Sequence, residues 1–89
     1  MNWQIDFSSN ANKFLEKNKL QENAVLQEIV LAIKKIQGED VNVDLKKLKG
    51  EWKGFYRIRS GKLRIIVDFH FERHRVFVEG IEWRGNIYK

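Results

Sequence analysis

Residues 54–69 read GFYRIRSGKLRIIVDF, and their alternation decides the fold. Tyr56, Ile58, Leu63, Ile65, Val67 and Phe69 take one set of positions, while Arg57, Arg59, Lys62 and Arg64 take others between them. A period of two is the signature of a strand, and a glycine between two such runs marks a hairpin turn. Centred on Ser60-Gly61, the hairpin pairs Arg59 with Lys62 and Arg57 with Arg64. Opposed side chains share a face, so all four cations project from one side and the apolar set turns toward a core. Like charges opposed across strands cost roughly 0.2–1 kcal/mol per pair. A sequence that accepts this cost is expected to meet a polyanion, although cations on an open sheet face also serve as solvated charge that protects an edge.

The rest of the chain follows from this hairpin. WQIDF (residues 3–7) alternates, which predicts a first strand with Trp3, Ile5 and Phe7 on one side. Ser8, Ser9 and Asn10 are helix N-cap residues, and a short helix ending near Asn18 follows, with Ala11, Phe14 and Leu15 inward. From Gln21 to Gln37 the apolar positions Val25, Leu26, Ile29, Val30, Ile33 and Ile36 recur at helical spacing, and Gly38 stops the helix. GEDVNVDLKKLKG (residues 38–50) reads as a polar connection that Val43, Leu45 and Leu48 anchor. HFERH (70–74) turns the chain, RVFVEGIEW (75–83) makes another strand, and RGNIYK (84–89) a short strand or turn. The order β-α-α-β-β-β predicts a single α+β domain over residues 1–89, with two N-terminal helices on one face of a small antiparallel sheet and the other face open.

Composition narrows the setting. The 89 residues carry 17 Lys and Arg against 12 Asp and Glu, and the excess gathers in the half that reads as β. With no Cys, neither a disulfide nor a thiolate metal site is available, which fits a reducing cytoplasm. No apolar run approaches the roughly 20 residues that span a bilayer, and MNWQIDFSSN lacks the basic and apolar regions of a signal peptide. The expected setting is therefore cytoplasmic, with no membrane partner.

Three segments together resemble a known family: LKG (48–50), GFYRIRSGKLRIIVDF (54–69) and VEGIEWRGNIY (78–88). The tyrosine-led basic hairpin, combined with a closing Arg84 and Tyr88, is similar to the RelE/ParE superfamily of bacterial toxins, and the RelE-like branch in particular. The similarity runs over essentially the whole chain. It implies a RelE-like fold and a toxin neutralised by an acidic antitoxin protein. In the RelE branch the implied activity is a metal-independent endoribonuclease, an mRNA interferase that cuts messages in the ribosomal A site and so inhibits translation. The 2′-hydroxyl attacks the adjacent phosphate without a small-molecule cofactor. On this resemblance the catalytic set is Arg57, Arg59, Arg64, Arg84 and Tyr88. Lys46, Lys47, Lys49, Lys53, Lys62 and Trp83 form the wider RNA-binding set. Arginine suits the role because its planar fork binds phosphate oxygens bidentately, and Tyr88 or Trp83 can stack on a base.

The sequence departs from many relatives in having Trp83 where they place His, and arginines where they place Lys in the first hairpin strand. Arginine, with a pKa above about 12, does not serve as a general base. Asp44 and Glu51 lie shortly before the hairpin, and His70 and His74 lie around the next turn, so the base is left open. The superfamily also contains ParE-like inhibitors of DNA gyrase, which catalyse nothing. That reading stays open beside the nuclease, as does a catalytically inactive RNA-binding member of the fold.

Overall fold

A computed structural model describes residues 2–83. Five strands and two α-helices follow in the order β1 (Gln4–Phe7), α1 (Ser9–Lys17), α2 (Glu22–Ile36), β2 (Asp44–Lys47), β3 (Tyr56–Ser60), β4 (Leu63–His70) and β5 (Arg75–Trp83). The strands lie in the order β1-β5-β4-β3-β2. The fold is α+β, as its sequence predicts, with two differences. KK and its neighbours in the polar connection form an extra edge strand, β2, antiparallel to β3. The first strand runs parallel to the last, so the sheet is mixed.

The first helix starts where its sequence provides a partner for its backbone, whereas Gln21 at the start of α2 makes no side-chain cap. The Ser8 hydroxyl accepts a hydrogen bond from the Ala11 amide at 3.0 Å, capping α1, and donates one to the Glu79 carbonyl at 2.7 Å, tying that cap to β5. The Ser8 amide also donates to the Val78 carbonyl, so α1 runs alongside β5 where the pairing with β1 ends. Ala11 and Leu15 of α1 and Val25, Ile29, Ala32 and Ile33 of α2 bury against Ile58, Ile65, Val67, Val76, Val78 and Ile81 of the sheet. Trp3 and Tyr56 pack at the margin of this core, as their phase predicts. Among the described residues no helix is long and apolar enough to cross a membrane.

The central hairpin keeps the expected faces and changes the expected register. The two turn residues are Gly61 and Lys62, with Ser60 opposite Leu63. Gly61 has φ +59°, the conformation a type II′ turn demands at its first central position. Arg59 therefore opposes Arg64 and Arg57 opposes Ile66, in place of the expected Arg59–Lys62 and Arg57–Arg64 pairs. Each partner moves by two residues, which preserves the faces because side chains repeat every two residues. One directly opposed pair of cations remains instead of two, and Lys62 sits at the exposed tip of the turn.

Candidate nucleic-acid interface

The face turned away from the helices is ordered by the strand register. One row across it runs Asp44, Arg59, Arg64, Glu82 from β2 to β5. The next row runs Lys46, Arg57, Ile66, Gly80. Neighbouring strands lie about 4.8 Å apart, so these side chains form a dense patch with cations inside and a carboxylate at each end of the first row.

The arginines are held in place. Arg57 Nη2 donates to Asp44 Oδ1 at 2.8 Å, and Arg59 Nη1 lies 3.7 Å from Asp44 Oδ2. The side chain of Arg57 is only 13% exposed and that of Arg59 29%, whereas Asp44 is half exposed. The Nε atoms of Arg57 and Arg59 are buried and have no hydrogen-bond partner among the described residues. A phosphate oxygen would meet the exposed part of each guanidinium, and the partial burial strengthens such a contact by excluding water. Ile66 points to this same face yet is completely buried, and it stands apart from the main core. It gives the patch an apolar floor.

The other sequence-predicted residues fall into three groups. Lys46 extends the second row outward, and Lys46, Lys47, Lys49 and Arg57 line one groove at the β2 edge. Lys47 pairs with Tyr56 and so projects toward the helix side. Lys53 is exposed in the loop before β3. Trp83 also lies on the helix side: its indole N–H donates to Asn18 Oδ1 at 3.0 Å, and its ring packs on Phe14 with centroids 5.4 Å apart. It remains 39% exposed, but it faces away from the arginine row. Arg84 and Tyr88 lie outside the described residues.

The two histidines are remote from the arginines. His70 is six residues along β4 from Arg64, about 20 Å at strand rise, and its Nε2 lies 3.1 Å from Asp68 Oδ2. His74 sits in the following turn, against Trp3. Near them, Arg75 donates to Asp6 at 3.1 Å, which with a lesser contribution from Gln4 holds the Asp6 carboxyl below its ordinary value. Among the described residues no group of three or more His, Asp or Glu side chains is arranged to hold a metal ion.

Sequence reading passed over two features of the face. Glu82 stands opposite Arg64, and its buried Oε2 has no hydrogen-bond partner among the described residues. Its alternation with the buried Ile81 carried that signal, but the register was needed to bring it to the arginines. A cleft of about 420 Å³ opens beside it, between α1 and β5, lined in part by Lys13, Lys17, Trp52, Ile66, Gly80 and Glu82. Trp52, unassigned in the sequence, forms one wall.

Neither a protein-family model nor a curated protein matches this sequence. Solved structures do. A chain of the DinJ–YafQ toxin–antitoxin complex from E. coli is similar with a TM-score of 0.67 and 15% identity, over 100% of each chain. The toxin–antitoxin complex RelBE2 from Mycobacterium tuberculosis gives 0.61 and 21%, over 94% of this chain and 93% of that one. The archaeal RelE–RelB complex from Pyrococcus horikoshii gives 0.60 and 22%, over 97% and 99%. Identities this low speak for architecture rather than activity, and on that ground the chain has the fold of the RelE- and YafQ-type toxins.

Proposed function

We propose that this protein is the toxin of a toxin–antitoxin pair and acts in the cytoplasm as a metal-independent endoribonuclease on mRNA in the ribosomal A site. The observation that carries the proposal is the row Asp44, Arg59, Arg64, Glu82 with Arg57 beside it. Negative charge accumulates on the phosphate oxygens as the 2′-hydroxyl attacks, and fixed guanidinium groups stabilise it without reorganising. The ion pair with Asp44 supplies that fixity for Arg57. Arg84 and Tyr88 enter from the sequence, as a further phosphate contact and a base-stacking ring. The lysines at the β2 edge add attraction to the RNA backbone that salt should weaken.

The partner expected is an antitoxin whose acidic segment covers the same face, since opposed potentials favour that docking. The likeness of this chain to chains of solved toxin–antitoxin complexes supports this part of the reading.

The test is to map new RNA ends by sequencing soon after induced expression, with wild type beside Arg59→Ala. Codon-phased cuts in translated messages, bearing 5′-hydroxyl ends and lost in the variant, are the expected result. Toxicity with intact messages would contradict the nuclease and turn attention to gyrase or another protein target.

A further inference from the structure

The nuclease reading lacks a proton acceptor, and the fold narrows the choice. Asp44 is committed to Arg57 at 2.8 Å and lies 3.7 Å from Arg59. Glu51 is exposed in the short helical turn Gly50–Trp52, outside both rows. His70 and His74 are at the opposite end of β4. Glu82 differs from all of these. It occupies the arginine row itself, directly across from Arg64, and its buried Oε2 has no donor among the described residues.

Leaving a buried carboxylate oxygen without a donor costs stability, and such groups gather where chemistry needs them. The surroundings of Glu82 admit a substrate. It lines the cleft between α1 and β5, where Lys13 and Lys17 bring positive charge from the helix side and Glu79 adds one further carboxylate. Space stands open above Gly80, where a Cβ would meet nothing within 4 Å. Ile66 and Trp52 also line the cleft, giving it an apolar and an aromatic surface. A ribose and its base can enter from the open face while the adjoining phosphate rests on Arg59 and Arg64.

Resting on the nuclease reading, we propose that Glu82 is the proton acceptor, with the attacking nucleotide seated in the cleft between α1 and β5. The proton of the 2′-hydroxyl passes to Oε2 as O2′ bonds to phosphorus. The P–O5′ bond breaks, and its electron pair leaves on O5′, which takes a proton from solvent water. The hydroxide so formed recovers the proton from Glu82. The net change is one phosphodiester converted to a 2′,3′-cyclic phosphate and a 5′-hydroxyl, with nothing oxidised or reduced.

The experiment compares wild type, Glu82→Gln and Glu82→Asp on ribosomes carrying a message in the A site, after thermal melting shows each variant folded. General-base catalysis contributes about 10²–10⁴ in rate, so Glu82→Gln should lose at least about 100-fold in kcat with KM unchanged. Glu82→Asp, which keeps the acid on a shorter arm, should recover part of that loss. A substrate with sulfur in place of O5′ leaves without protonation, so it should not rescue Glu82→Gln. Wild-type kcat in Glu82→Gln, a change confined to KM, no gain from Asp over Gln, or rescue by sulfur would each overturn the proposal. If wild type cuts and Glu82→Gln cuts equally, only this inference falls. If wild type does not cut at all, the nuclease reading falls with it.

Discussion

Ile65 and Ile66 are adjacent on β4, both completely buried, and they face opposite sides of one sheet. Ile65 belongs to the main core beneath the two helices, among Ile58, Val67 and Ile81. Ile66 lies under a layer of long polar side chains, between Arg57 on one strand and Gly80 on the other. On the helix side, tight packing fixes each residue by shape. On the open side, charge and hydrogen bonding fix the arginines, and one isoleucine supplies the floor they rest on. The same strands therefore carry a packed face and, on the proposed function, a chemistry face, and substitutions should separate the two.

The largest loss of stability should come from Ile65→Ala, about 2–5 kcal/mol as for other buried isoleucine truncations, read as a lower urea midpoint. Ile66→Ala should fall at the lower end of that range, because arginine stems can relax into the space. It should also slow RNA cleavage by loosening Arg57, an effect Ile65→Ala lacks in protein that remains folded. Equal costs and equal cleavage rates would erase the distinction between the faces.

Asp44→Asn sharpens the contrast at a smaller scale. The pair it breaks is part exposed, so the stability change should stay within about 1 kcal/mol and shrink as salt is added. Cleavage should fall by more than that figure suggests, since Arg57 loses the contact that orients it. The smallest effect concerns Asp6, far from the arginines. Its pKa is lowered by Arg75 first and Gln4 second, so its contribution to stability is present above the ordinary value of 3.8 and fades as pH falls below it. Asp6→Asn should therefore be slightly less stable than the parent at neutral pH and equal to it in strong acid, with cleavage untouched at either.

Much of this was legible in the sequence because its signals are local. The 3.6-residue period of Val25 to Ile33, the Ser8 cap and the alternation of RVFVEGIEW each act within one element, and all appear where they were read. The β2 strand escaped because it is a four-residue edge with one apolar inward side chain, Leu45, too short to show alternation. The parallel pairing of β1 with β5 joins residues about 70 apart, beyond any local pattern. The hairpin register slid because both Ser60-Gly61 and Gly61-Lys62 are acceptable turns, and only cross-strand packing chooses between them. Glu82 stayed hidden for a separate reason: its partner, Arg64, is known only once β4 and β5 are in register.

The most direct test of the open face as the chemical face is the ratio of two losses in purified Arg59→Ala. Its cleavage of ribosome-bound message should fall about 10²–10³-fold, as for removal of one preorganised donor, while its urea midpoint stays close to that of wild type. A variant that unfolds, or one that folds and cleaves like wild type, would contradict the assignment of that face to catalysis.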